Sequence, residues 1–197
     1  MNSKITSETG DALLVVDVQN DFLPGGNLEV PDGHAVVPVL NQYIETFAGH
    51  NLPIFFTRDW HPEKHCSFRA QGGPWPVHCV AGSGGAAFAS DLAQPAGSIV
   101  VNKAESPERD AYSGFEHTDL VSELRRRGVK RVYVGGLATD YCVLNTVKDA
   151  LLHGFEVYLL EDAIRAVNVQ PDDGPHAVTE MLDRGAKPIS LGMLQKA

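Results

Sequence analysis

Asp17, Asp59, Lys103 and Cys142 each stand at or just beyond the carboxyl end of a short apolar run. The runs are Ala12 to Val16, Ile54 to Phe56, Ile99 to Val101 and Val132 to Val134. In an open parallel sheet, ligands bind outside the carboxyl ends of the strands, so this placement gathers two carboxylates, an ammonium and a thiol at one edge. Singly each has an ordinary explanation: an aspartate caps a turn, a lysine is solvated, a cysteine fills core space. Together they supply nucleophile, base and charge stabiliser, a triad logic without histidine. Cys142 falls at an expected helix start, where the helix dipole and free N–H groups favour a thiolate, and a nearby Lys103 would push the same way. Asp17 is then the proton acceptor and donor. The preceding Gly135-Gly136-Leu137-Ala138-Thr139-Asp140 turn can aim backbone N–H groups at an oxyanion.

A second constellation offers metal chemistry. Asp59 and His61, with His78 further on, provide one hard oxygen and two imidazoles, a set suited to zinc, iron or manganese with open positions for water or substrate. His65 is a candidate fourth ligand or a plain loop histidine. Cys79, next to His78, points away in an extended segment and is expected to pack. His34, His50, His117, His153 and His176 have no partner at ligand spacing and read as surface or helix residues.

The elements that must position these groups alternate. Further runs at Val157 to Leu160 and near Pro188 to Leu191 complete six expected strands. Helical patterns lie between: His34 to Phe47, Thr118 to Arg127 (capped by Thr118 and closed by Gly128), Tyr141 to Leu152 (closed by Gly154) and Pro175 to Arg184. Such alternation predicts an α/β fold with a parallel sheet covered on both faces. Residues 1–197 are expected to form one domain, with 1–10 a flexible tail. From His61 to Gly97 periodicity is lost, yet the segment holds Trp60's neighbours Phe68 and Trp75 and three histidines, the wrong content for a solvated linker. Something should organise it, and a metal is one candidate.

Composition removes several function classes. Lys plus Arg number 16 against 25 Asp plus Glu, a formal charge of -9, opposite to the balance of a phosphate-backbone binder, so nucleic acid is not expected as a partner. The three cysteines, Cys66, Cys79 and Cys142, are odd in number and form no C-x-x-C pair, which disfavours a disulfide scaffold. Without an apolar leader or spanning run, no membrane is expected either, and the reading is a cytoplasmic protein. Self-association as a homo-oligomer is left open. A dinucleotide-binding reading fails, because Asp17-Val18-Gln19-Asn20-Asp21-Phe22-Leu23 after the first strand is no glycine-rich phosphate loop. Eight of the 19 glycines lie in two places, Gly72 to Gly97 and the Gly135-Gly136 turn.

Ordered motifs carry a family resemblance. They are Val16-Asp17-Val18-Gln19-Asn20-Asp21-Phe22, Asp59-Trp60-His61-Pro62, Trp75-Pro76-Val77-His78-Cys79-Val80, Lys103, Tyr112-Ser113-Gly114-Phe115 and Gly135 through Val143. The chain resembles the nicotinamidase/pyrazinamidase branch of the isochorismatase-like cysteine hydrolases along nearly its whole length. The resemblance implies a three-layer α/β/α fold with a six-stranded parallel sheet of Rossmann-like topology. It also implies hydrolysis of nicotinamide to nicotinate and ammonia for NAD recycling, with pyrazinamide as a surrogate. By the same resemblance Asp17, Lys103 and Cys142 match the catalytic trio, and Asp59, His61 and His78 match the ligands of one divalent metal ion. Phe22 and Trp75 match the aromatics that sandwich the ring, with Leu137 and Tyr112 also expected at the substrate. A cis Leu137–Ala138 bond is implied, aiming the Ala138 and Cys142 amides into the oxyanion hole. The alternatives are a related cysteine amidohydrolase acting on another small amide or N-carbamoyl compound, and a metal-binding or redox-sensing protein in which Cys142 is oxidised; the second gives Asp17 and Lys103 no evident job.

Overall fold

The computed structural model describes residues 5, 6 and 8–195. Its strands are β1 (Ile5–Thr6), β2 (Asp11–Val16), β3 (Ile54–Asp59), β4 (Ile99–Lys103), β5 (Arg131–Leu137), β6 (Glu156–Arg165), β7 (Lys187–Ile189) and β8 (Leu194–Gln195). Its α-helices are α1 (Val36–Gly49), α2 (Leu120–Arg126), α3 (Leu144–Leu152) and α4 (Asp173–Asp183). Every side chain of β2 is buried, as a strand covered on both faces requires. Its alternate residues serve two cores. Leu13 and Val15 pack with Leu40, Tyr43 and Phe47 of α1, whereas Ala12, Leu14 and Val16 pack with Leu124 of α2, Val147 of α3 and Met181 of α4. The result is three layers, with one helix on one face and three on the other.

Six strands form one sheet in the order β4-β3-β2-β5-β6-β7, all parallel, as the resemblance implied. The strand order reverses direction between β2 and β5, the place where open sheets leave a crevice at their carboxyl edge. Between β5 and β6 the register slips: Val134 faces Leu159, but Gly136 faces Ile164. Gly136 is there with φ of +126°, and a side chain would collide with the Val16 carbonyl oxygen of the neighbouring strand.

Several strands outrun the apolar stretches that announce them. β3 continues through Thr57 and Arg58 to Asp59, and β4 through Asn102 to Lys103, so both functional residues are the last of their strands. The polar extensions are tolerated because they pair internally, Arg58 Nε donating to Asn102 Oδ1 at 2.7 Å. The first helical pattern starts with a 3-10 turn at Gly33–Ala35, before α1. Within residues 1–10, Ile5–Thr6 pair in parallel with Leu194–Gln195, and the Glu8 amide donates to Asp11. Residues 1–4 and 7 lie outside the described residues. No helix among the described residues is long and apolar enough to cross a membrane.

The segment after His61 has one 3-10 turn, Arg69–Gln71, and isolated bridges pairing His61 with Val80, Phe68 with Trp75 and Phe88 with Gln19. A buried carboxylate fastens it further. Asp21 accepts from the Cys79 amide at 2.6 Å and from the Asn27 amide at 3.2 Å. Protein contacts thus organise this loop.

Candidate active site

Parallel pairing sets the first contact of the site. Asp59 and Lys103 are register partners on β3 and β4, so their side chains meet, Nζ to Oδ1 at 2.5 Å. On the other side, the chain leaves β2 at Asp17 through a left-handed turn with φ of +49°. Thr57, two residues before Asp59 on the same face of β3, donates its hydroxyl to Asp17 Oδ1 at 2.6 Å. Lys103 Nζ lies 3.0 Å from Asp17 Oδ2 and 3.5 Å from the Sγ of Cys142. All four expected edge residues are therefore in one buried cluster, with the Asp17, Asp59 and Cys142 ligand atoms within 4.8 Å of one another.

Cys142 differs from the expectation in one respect. It stands in a π turn, Thr139–Val143, that precedes α3, so the expected helix from Tyr141 to Leu152 divides into a turn and a shorter α-helix. Burial raises the Cys142 thiol well above its ordinary value, Asp17 and Asp59 push the same way, and Lys103 only partly opposes them. The thiol is held protonated, with its sulfur and an Asp17 carboxylate oxygen within 4.8 Å of each other. Burial likewise raises Asp17 above the usual carboxylate range, with Asp59 adding to it against the pull of Lys103. Burial would lower Lys103, but Asp17 and Asp59 outweigh it and hold a firm cation.

The Leu137–Ala138 peptide bond is cis. Beside it lies a recess lined by Phe22, Leu28, Val30, Trp75, Tyr112, Ala138, Tyr141 and Val167, with Asp59, His78 and Cys142 at its polar end. Trp75 Nε1 donates to the Tyr112 hydroxyl at 3.0 Å, and Trp75 meets Tyr141 edge-on at 5.1 Å between centroids. Phe22, Trp75 and Tyr112 thus line one recess. Leu137 does not: its side chain is wholly buried in the core on the α1 face, so only its peptide bond borders the site. Leu28, Val30, Tyr141 and Val167 were missed. Tyr141 adjoins Cys142 in sequence and could have been found there; Val167 carries no sequence signal.

Asp59, His61 and His78 also fit a metal on donor chemistry. One ligand atom from each lies within 4.8 Å of the others. The Nδ1 of His61 is 3.1 Å from the His78 carbonyl, and the Nδ1 of His78 is 2.8 Å from the Pro76 carbonyl. A carbonyl only accepts, so each ring carries its hydrogen on Nδ1 and keeps the Nε2 lone pair for a cation. Burial lowers His61 to about 4, which keeps it neutral and able to ligate at neutral pH. His65 does not fit as a fourth ligand. It stacks on His61 at 4.3 Å and lies close to Asp110, but its Nε2 donates to the Arg109 carbonyl at 3.0 Å and its Nδ1 pairs with Ser67 at 2.7 Å. With its hydrogen on Nε2, the Nδ1 lone pair is already engaged, accepting from the Ser67 hydroxyl and from the Ser67 amide at 3.3 Å. Cys79 is buried in the core, as expected for packing, though its φ of +47° is not extended, and all three cysteines are free.

An unexpected support is Gln19. Its fully buried side chain donates to the Asp59 carbonyl at 2.8 Å and the Ala86 carbonyl at 3.0 Å, and accepts from the Asp59 amide at 2.8 Å. It brackets the backbone of Asp59 the way a neighbouring strand would.

Comparison with known proteins agrees with this geometry. The isochorismatase domain matches residues 11–192. The chain belongs to the isochorismatase family. Within it, the chain is 41% identical to the nicotinamidase of Escherichia coli over 201 residues, covering 91% of this chain and 94% of that protein. Among solved structures, the pyrazinamidase of Pyrococcus horikoshii in complex with zinc superposes with a TM-score of 0.89 at 50% identity, covering 92% of this chain and 99% of that one. PnC1 from L. infantum in complex with nicotinate superposes at 0.91 with 37% identity, covering 98% of each chain. The six-stranded parallel sheet of the isochorismatase family is shared with these structures.

Proposed function

We propose that this isochorismatase-family protein is a nicotinamidase, hydrolysing nicotinamide to nicotinate and ammonia and accepting pyrazinamide. The observation that carries the reading is Cys142, within 4.8 Å of an Asp17 oxygen and 3.5 Å from Lys103, at the polar end of an aromatic recess that also reaches Asp59 and His78. A flat, neutral heteroaromatic amide matches such walls. The relatives named for nicotinamidase and pyrazinamidase activity support the same substrate class.

In this mechanism Asp17 takes the thiol proton of Cys142, and the thiolate sulfur attacks the carboxamide carbon. The amides of Ala138 and Cys142 hold the oxyanion. Asp17 returns the proton to the leaving nitrogen, ammonia departs, and a thioester remains. Asp17 then removes a proton from water, whose oxygen attacks the thioester carbon; nicotinate leaves and the thiol is restored. Lys103 keeps its charge throughout and stabilises the sulfur and both carboxylates. Asp59, His61 and His78 would hold one divalent cation, zinc above all given the nitrogen-rich set, which when bound supplies a Lewis-acidic anchor for the pyridine nitrogen. The partner is thus a small molecule, and the protein works in the cytoplasm as a single hydrolase domain in NAD recycling.

One assay tests the reading: ammonia release from nicotinamide beside an N-carbamoyl amine, before and after verified metal removal. Release from nicotinamide that falls on chelation and returns with zinc is expected. No release from metal-loaded protein, or release from the N-carbamoyl compound alone, would overturn it. The Cys142→Ala variant should lose turnover while still binding nicotinamide.

A further inference from the structure

Asp140 has no part in that reaction sequence, yet its carboxylate is fully engaged. Oδ1 accepts from the Val167 amide at 2.9 Å and Oδ2 from the Asn168 amide at 2.8 Å. The turn that carries Asp140 does not depend on these bonds. Its own backbone closes it, the amides of Tyr141 and Val143 donating to the Ala138 carbonyl at 3.1 Å and that of Leu144 to Thr139. The beneficiary is the irregular segment between β6 and α4. Val167 on that segment lines the recess. Asn168 follows with φ of +53°, and its Oδ1 accepts from the Gly174 amide in the first turn of α4 at 2.8 Å. The segment is therefore held at two ends, by Asp140 at the site and by α4 behind it.

We infer that Asp140 is a positioning residue that clamps Val167 against the ring-binding recess and so sets how tightly the substrate ring is held, apart from the chemistry at Cys142. The inference rests on the function proposed above and deepens it for the same recess. Two parallel charge-assisted bonds to successive amides fix both the position and the direction of the segment. Without them, a loop with no sheet or helix bonds of its own samples other positions, and the ring loses one apolar wall. Substrate held less well in ground and transition state alike raises KM and leaves kcat.

The test compares wild type, Asp140→Ala, Val167→Ala and the double variant, reading steady-state kinetics with nicotinamide and amide hydrogen exchange at residues 167 and 168. Asp140→Ala is expected to raise KM about tenfold with kcat within about threefold, and to speed exchange at both amides. The double variant should have a KM within about twofold of Asp140→Ala alone, because the clamp acts through Val167. Unchanged exchange, unchanged KM, additive effects in the double variant, or a fall in kcat at constant KM would overturn the inference. Should Asp140→Ala fail to fold, Asp140→Asn keeps one acceptor oxygen and is read the same way, with smaller shifts in the same directions. Wild type that releases no ammonia would overturn the functional reading instead, and the exchange rates would still decide the clamp.

Discussion

Lys103 and Asp17 stand 3.0 Å apart, Nζ to Oδ2, without a hydrogen to share. The three ammonium hydrogens are taken by Asp59 Oδ1 at 2.5 Å, the Ala111 carbonyl at 3.0 Å and Cys142 Sγ at 3.5 Å, and Oδ2 has no aligned hydrogen bond from any of them. Asp17 feels the positive charge but keeps one oxygen open. That is the state a base needs before it receives a proton from sulfur.

Removing the ammonium leaves two carboxylates facing each other in the interior. Lys103→Met is therefore expected to lower the unfolding free energy by about 3 kcal/mol or more and turnover by at least about 10²-fold. Urea unfolding beside the ammonia assay would check both, and near-normal stability would contradict the described charge balance.

Gln19→Leu removes the side-chain amide that brackets Asp59 while keeping a similar volume. A support of this kind is worth about 10- to 100-fold in metal affinity. Competition with a chromogenic chelator should show zinc retained that much less well, with the fold intact by circular dichroism.

Gly136→Ala places a methyl against the Val16 carbonyl in the centre of the sheet, at a φ that side chains avoid. A loss of about 3 kcal/mol is expected from denaturant unfolding. Gly84→Ala is the control, since a Cβ there meets open space, and it should be nearly silent.

Alkaline pH should weaken the fold through Tyr43. Burial raises its phenol, and Asp162, which accepts its hydrogen bond at 3.0 Å, raises it further. A folded-state value above the unfolded one means that the stability is fully present below about pH 10 and is lost as pH climbs past it. Unfolding free energy measured from pH 8 to 11 should hold level and then fall, and Tyr43→Phe should flatten the fall while costing about 1 kcal/mol at neutral pH.

The catalytic edge was legible because parallel strands end where their apolar runs end, or within a turn of it, so Asp17, Lys103 and Cys142 could be picked out from position. Asp59, His61 and His78 were legible from residue type. His65 was ambiguous because its exclusion depends on the Arg109 carbonyl, 44 residues away in sequence. The surroundings of Cys142 were only half legible for a similar reason: a helix start is visible in sequence, whereas burial beside two carboxylates from distant parts of the chain is not. Gln19 and Asp140 were given no role of their own, since their partners are backbone groups, and backbone groups leave no trace in side-chain patterns.

Nearly every bond that builds the site joins distant parts of the chain. Gln19 reaches Asp59 across 40 residues and Ala86 across 67; Lys103 reaches Asp59 across 44 and Cys142 across 39. Contacts of that range close late, after the loops between them have lost their freedom. During synthesis, then, Asp59, His61 and His78 have all emerged before Lys103, but Cys142 has neither Asp17 nor Lys103 around it until β5 inserts beside β2. The step that completes the central sheet is thus also the one that assembles the surroundings of Cys142.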